Sequence, residues 1–320
     1  MSTHKVIFTD IDGTLIDINT AVYGKETKKL VSIMKEKNIP LILTSAKTRQ
    51  EQDKIRDDLG ISDPYIIENG GAIFFPKGYF PEYTLKEIRY PIKETEEVEK
   101  TESYKNYKLA ESTHGQRKTP ADKKISRVKL IELGKSSYII RARLSDMRKR
   151  YNINFIGVAD ISIEELSNLA SMPLEQAKRM AHRAYGETLL QIQEKDISRF
   201  TKYAQEAGMK VIHGGRFFDV TAGNDKGIAV EILKTLFKNK YHDDVKFFGI
   251  GDSVNDIPML SLMDVPIIVQ RLDRSWLDYG SIEMKNSVQS SISNQNIIKI
   301  NGIGPSGWEN AIHKFVLEMN

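Results

Sequence analysis

Short apolar runs alternate with amphipathic stretches at both ends of this chain and not in its middle, and no other feature restricts the fold as much. Val6, Ile7 and Phe8 read as a buried strand; Leu30, Ile33 and Met34 recur at helical spacing within 26–37; apolar runs return at 39–43 and 65–67. Such alternation specifies parallel strands linked by crossover helices, because strands covered on both faces become continuously apolar. The pattern resumes late: Ala229, Ile232, Leu233 and Leu236 fall at i, i+3, i+4 and i+7 of a helix, and strand-like runs follow at 245–250 and 266–269. The simplest arrangement is one parallel sheet built from both chain ends.

The intervening residues obey other rules. Over 91–127, Lys, Glu, Thr and Ser dominate and apolar periodicity disappears, which reads as a polar surface insertion. Helical patterns follow at 163–169, 174–184 and 197–207, with strand-like runs at 154–158, 189–192, 210–213 and 217–220. The expected architecture is α/β: a Rossmann-like parallel-sheet core made by 1–85 and 222–320, with an inserted α+β cap domain over 86–221. A length of 320 residues suits two such units.

Composition enters through what it excludes. With no cysteine, disulfides, thiolate metal sites and cysteine nucleophiles are ruled out, so a catalytic metal must rest on oxygen or His. The net charge of +4 is spread over mixed signs and does not call for nucleic acid. No apolar run approaches the roughly 20 residues that cross a bilayer, and the first strand starts too soon after Met1 for a signal peptide. The expectation is a cytoplasmic chain, without nucleic acid or membrane as partner. No pattern specifies an oligomeric state.

Chemistry concentrates at strand ends. Asp10 and Asp12 follow the first strand, at the carboxyl edge where open parallel sheets bind ligands. Gly13 permits a tight turn there, and backbone N–H groups near Ile11 can face a phosphate. Taken alone, Asp-x-Asp-Gly serves as well to begin a turn. Distant partners shift the balance: Gly251-Asp252-Ser253-Val254-Asn255-Asp256 follows the 245–250 strand and brings two more carboxylates to the same edge. Four converging acids repel one another unless a divalent cation neutralises them, and oxygen ligands of this kind favour Mg2+. Ser45 ends the second strand and can donate to a phosphoryl oxygen; Lys226 precedes a helix and can balance negative charge. Singly, a Ser here caps a helix and a Lys is solvated; order and spacing give the set its weight.

Asp10-Ile11-Asp12-Gly13-Thr14, Ser45, Lys226 and Gly251-Asp252 through Asp256 stand in the order of the four motifs of the haloacid dehalogenase superfamily of phosphatases, which the chain resembles. The long insertion between the second and third motifs resembles the subgroup with an α+β cap. Within that subgroup the chain is similar to the mannosyl-3-phosphoglycerate phosphatase family. Ser45-Ala46-Lys47-Thr48-Arg49, Glu68-Asn69-Gly70-Gly71-Ala72, Ile131-Glu132-Leu133-Gly134, Gly214-Gly215-Arg216-Phe217 and Gly304-Pro305-Ser306-Gly307-Trp308 carry this likeness, which covers nearly the whole chain apart from 91–127. At 186–188, Gly186-Glu187-Thr188 replaces the family's Ser-Glu-Pro-like segment, so the sugar stays open.

The resemblance implies a small anionic phosphorylated substrate, attacked by Asp10 to form an aspartyl-phosphate, with Asp12 as general acid and then base. It implies Mg2+ on the Asp10 carboxylate, the Asp12 main-chain carbonyl and Asp252, with Asp256 acting through water or a neighbouring ligand and Asn255 orienting the loop. For substrate binding it points to Arg216 at the glycerate carboxylate, Asn69 and Gly70 on the phosphate side, Lys47 and Arg49 around the anion, and Glu187 at sugar hydroxyls. Trp308 reads as packing for the last helix and His213 as structural. The implied product is the compatible solute mannosylglycerate. Glucosyl-3-phosphoglycerate, sucrose phosphate or a free sugar phosphate remain alternative substrates; a phosphomutase and a non-catalytic binding protein are further alternatives.

Overall fold

The protein is described by a computed structural model covering residues 3–98, 125–213, 216–278 and 297–318. It opens with β1 (His4–Thr9), α1 (Thr27–Glu36), β2 (Leu41–Thr44), α2 (Arg49–Leu59), β3 (Tyr65–Ile67) and β4 (Ala72–Pro76). Helix α2 starts on a capping box, in which the Thr48 hydroxyl accepts from Glu51 N and the Glu51 carboxylate accepts from Thr48 N; Gly60 in the left-handed region closes it. Two further strands, β5 (Ile92–Val98) and β6 (Ile125–Glu132), follow.

Against the expectation that the inserted unit begins at 86, β6 pairs with β4 and β5 with β6, all antiparallel, in the large sheet. Strand β5 is the sheet's edge. An edge strand has no need of a continuous apolar run, and charges there discourage pairing with other chains, which explains why Ile-Lys-Glu-Thr-Glu-Glu-Val reads as an insertion. Residues 99–124 of the polar stretch lie outside the described residues.

The second unit starts with α3 (Ser137–Tyr151), β7 (Phe155–Gly157), α4 (Ile163–Ala170) and α5 (Leu174–Ala181), and continues with β8 (Gly186–Ile192), α6 (Glu194–Glu206), β9 (Lys210–His213) and β10 (Phe218–Thr221). Its four strands run β7-β8-β10-β9, all antiparallel. Alternation along β8 gives each face its core. Leu189 packs with Ile140, Leu144 and Phe200 from α3 and α6, whereas Leu190 packs with Leu166, Ala177 and Met180 from α4 and α5.

The chain then returns to the large sheet with α7 (Lys226–Tyr241), β11 (Val245–Gly251), β12 (Val265–Gln270), β13 (Ile298–Ile303) and α8 (Pro305–Ala311). The strand order is β13-β12-β11-β1-β2-β3-β4-β6-β5. The run from β13 to β3 is parallel, as expected, and the β4, β6 and β5 margin is antiparallel. Strand β1 is central and buried on both faces. Val6 and Phe8 meet Leu233 and Phe237 of α7, and Ile7 meets Leu30 and Met34 of α1 together with Trp308. Trp308 is wholly buried and donates through Nε1 to Thr9 Oγ1 at 3.1 Å, so it packs α8 against the sheet. Among the described residues no helix is long and apolar enough to cross a membrane.

Candidate active site

The carboxyl ends of β1, β2 and β11 lie side by side because these strands are parallel neighbours, and the loops leaving them carry Asp10, Ser45 and Asp252. Asp10 N donates to Ile250 O at 2.9 Å, fixing the start of the first loop against β11. Gly13 follows at φ +78°; a Cβ there would stand 2.8 Å from Asp252 Oδ2, so only glycine lets the two loops approach this closely. Thr14 Oγ1 donates to Asp252 Oδ1 at 3.2 Å. That contact could have been read from the motif, since Thr14 follows the turn glycine directly.

Asp10, Asp252 and Asp256 are buried and offer carboxylate oxygens within 4.8 Å of one another. Lys226, at the start of α7, reaches Asp256 Oδ1 at 2.6 Å and Asp10 Oδ1 at 3.1 Å. The other Asp256 oxygen accepts from the backbone N–H groups of Asp252 and Ser253, both at 3.1 Å. Burial alone would lower the Lys226 pKa, but Asp256 and Asp10 more than offset it and raise it. The acids respond oppositely. Burial drives the Asp10 carboxyl well above the usual carboxylate range, Asp256 adds to this, and Lys226 only partly opposes it. Burial and then Asp256 push Asp252 up to about 7. A buried oxygen cluster in which Asp10 and Asp252 resist ionisation has the chemistry of a divalent-cation site, because a cation offsets the burial and the repulsion that raise those two carboxyls.

Asp12 stands apart from that cluster, half-exposed, with Lys47 Nζ 2.9 Å from its Oδ1. Lys47 also lies 3.7 Å from Glu51 on α2. Burial would lower its pKa, but Asp12 and Glu51 together raise it. Ser45 is buried; its hydroxyl accepts from Lys47 N at 3.3 Å and its carbonyl from Asn69 N at 3.0 Å. Asp10, Asp12, Ser45 and Asp252 line a cleft of about 650 Å³, which Ser253, Asn255, His213, Arg271 and Asp273 also border. His213, expected as structural, is an exposed residue at the end of β9, its ring 4.5 Å from Phe218 and on the wall of this cleft.

The other expected substrate contacts lie elsewhere. Arg216 donates from Nη1 to Ala170 O at 2.6 Å and from Nη2 to Leu169 O at 2.8 Å. It satisfies carbonyls that the end of α4 leaves unpaired, and is not on the cleft wall. Glu187 is buried, pairs with Arg141, and accepts from Thr188 N at 3.0 Å. Asn69 turns its amide to Asp219 Oδ2 at 3.4 Å, and Gly70 packs against the backbone of Asp225 and Lys226. Arg49 stacks over Phe74 and lies 3.5 Å from Asp53. Gly214 and Gly215 lie outside the described residues.

Sequence reasoning missed a polar seam between the two units. Glu68 accepts from Ala184 N at 2.8 Å and Tyr185 N at 2.9 Å, and buried Arg183 reaches Asp219 at 3.3 Å and Glu68 at 4.0 Å. Asn224 Nδ2 donates to Glu68 O at 2.7 Å and Tyr185 O at 3.0 Å. Glu68 stands beside the Asn-Gly-Gly turn in sequence, the one local signal for this seam.

A parallel sheet bearing at its carboxyl edge a buried aspartate, a carboxylate cluster suited to a divalent cation and a bridging lysine defines an enzyme of the phosphoryl-transfer class. The chain belongs to the haloacid dehalogenase-like hydrolases, whose family model matches residues 7–294, and it is a phosphoric monoester hydrolase. It is 31% identical over 317 residues to a glucosyl-3-phosphoglycerate/mannosyl-3-phosphoglycerate phosphatase of Persephonella marina, covering 98% of each chain. A protein of the same name from Methanococcoides burtonii is 32% identical over 316 residues, again 98% of each. In fold it matches a crystal structure from Thermotoga maritima with a TM-score of 0.57 at 11% identity, over 100% of this chain and 98% of the other.

Proposed function

We propose that this phosphatase hydrolyses mannosyl-3-phosphoglycerate, and its glucosyl counterpart, to the glycosylglycerate and phosphate in a magnesium-dependent reaction. The observation that carries the substrate is the likeness, over 98% of each chain, to relatives named for these two compounds. The chemistry rests on the buried Asp10 carboxylate beside Lys226 at the floor of the cleft.

The carboxylates of Asp10 and Asp252 and the main-chain carbonyl of Asp12 would hold magnesium, which would supply positive charge to offset that of the phosphoryl group. The free Asp10 oxygen attacks phosphorus, forming the new P–O bond as the ester P–O bond breaks. Asp12, steadied by Lys47 at 2.9 Å, gives its proton to the departing glycerate oxygen. Ser45 donates to a phosphoryl oxygen, and Lys226 balances the negative charge that Asp10 carries before attack and the phosphoryl group carries through it. Asp12, now ionised, takes the proton of the water that hydrolyses the aspartyl-phosphate, which frees Asp10 for another turnover. Asp256 fixes Lys226 with one oxygen and the 252–253 backbone with the other. The inserted unit, with the large-sheet strands β5 and β6 excluded, acts as the cap over this edge.

The test is phosphate release from mannosyl-3-phosphoglycerate, glucosyl-3-phosphoglycerate and sucrose phosphate, with and without magnesium, with Asp10→Asn as the blank. Magnesium-dependent turnover of the two phosphoglycerates, abolished in the variant, is the expected result. Turnover of sucrose phosphate alone would move the chain to another substrate of the same subgroup.

A further inference from the structure

The cleft above Asp10 is rich in acid. Asp10, Asp12, Asp17, Asp252 and Asp273 all border it, and among its described lining residues Arg271 is the one guanidinium. A phosphomonoester whose leaving group carries a second anion meets repulsion there unless a cation on the wall receives it.

The neighbouring cations are already committed. Lys226 bridges Asp10 and Asp256, Lys47 serves Asp12 and Glu51, Arg183 serves Asp219, and Arg216 closes α4. Arg271 differs. Its Nε donates to Asp252 O at 3.2 Å, which ties the guanidinium to the loop bearing the cation-site carboxylate. Its backbone is pinned by two bonds, Arg271 N to Ser275 O and Arg274 N to Arg271 O, both at 2.9 Å. Among the described residues, its two terminal nitrogens make no hydrogen bond and no carboxylate lies within 4.0 Å. The base of the side chain is fixed and its fork is free beside the catalytic carboxylates, the geometry in which a guanidinium takes a carboxylate through two parallel N–H···O bonds.

We infer that Arg271 binds the carboxylate of the substrate's leaving group and so selects phosphoglycerate-type esters over esters lacking that second anion. The inference rests on the phosphatase reading above and deepens it, moving to the β12 loop a role that sequence alone assigns to Arg216.

The test compares the chain with Arg271→Gln and Arg271→Lys on a matched pair, 3-phosphoglycerate and glycerol 3-phosphate, which differ in the carboxylate. Each ester is measured as kcat/KM, or as Ki against p-nitrophenyl phosphate where turnover is slow. The preference for the carboxylated ester should fall about 10- to 100-fold in Arg271→Gln, the span for losing charge-assisted hydrogen bonds. The change should lie mainly in KM or Ki, and Arg271→Lys should restore part of it. Equal losses on both esters would reduce Arg271 to a support for the Asp252 loop and overturn the proposal, as would an unchanged preference or a parent enzyme with none. The substrate reading fails separately. A parent enzyme that ignores both glycosyl-3-phosphoglycerates but shows an Arg271-dependent preference within the pair leaves this inference standing.

Discussion

Lys226 Nζ lies 2.6 Å from Asp256 Oδ1, closer than the 3.1 Å to Asp10, so the lysine is anchored by Asp256 and presented to Asp10. Replacing it by methionine keeps the length and removes the charge. Two buried carboxylates then lose their cation, a change that costs about 3–5 kcal/mol when a buried pair is broken. Lys226→Met should lower kcat by about 100-fold or more and depress Tm in magnesium-free buffer. Added magnesium should recover part of the Tm and little of the kcat. Steady-state kinetics beside thermal melts separate the two effects.

A second expectation concerns pH. Asp252 is raised to about 7, whereas an unfolded aspartate titrates near ~3.9. Between those values the folded protein holds a proton that the unfolded chain has released. Cation-free stability from this group therefore falls as pH rises from about 4 to about 7, by up to about 1.4 kcal/mol per pH unit. A bound cation favours the ionised form and cancels that loss, so the gain in Tm on adding magnesium should be larger at pH 8 than at pH 5.5. An equal gain at both would show that no raised carboxyl competes with the metal.

Glu68 holds the segment that leads from α5 into β8 through the backbone N–H groups of Ala184 and Tyr185. In Glu68→Gln one of those acceptors becomes an amide that cannot accept, and Arg183 is left with Asp219 as its ion-pair partner. A loss of about 1–3 kcal/mol is expected, together with faster proteolysis near 133–136 and 222–224 and a higher KM. Mapping the cleavage sites by mass spectrometry checks that the loosening is confined to the seam.

The core strands and the site acids are legible because burial on both faces leaves the runs 6–8, 41–43, 65–67 and 247–248 apolar, and Asp10 and Asp252 sit one residue beyond β1 and β11. Helix α2 is not legible by periodicity, since the buried residues include Glu51 and Gln52 beside Ile55 and Leu59. Its Thr48-to-Glu51 capping box was the available signal. Helix α3 does carry a stripe at Ile140, Leu144 and Met147, a pattern that could have been used. The side-chain partners were the harder part. Arg216 and Arg271 are both arginines beside loops, and only the packing of α4 and of the Asp252 loop decides which one faces the cleft.

Gly70 and Gly60 provide a matched pair, because both sit in the left-handed region, at φ +88° and +66°. Alanine at Gly60 meets nothing within 4 Å, so Gly60→Ala carries only the backbone strain of that conformation, about 1 kcal/mol. At Gly70 a Cβ would stand 2.3 Å from the Asp225 carbonyl and 2.5 Å from Lys226 N. Backbone cannot yield as a flexible side chain does, so the start of α7 must shift and carry Lys226 away from Asp10. Gly70→Ala should therefore lose far more stability than Gly60→Ala and should also lower kcat, by about 10-fold or more for a displacement near 1 Å. Gly60→Ala, whose turn closes α2 away from the cleft, should keep kcat within about twofold. Measured side by side, equal kcat in the two variants would mean that Lys226 holds its place without the close backbone contact at Gly70.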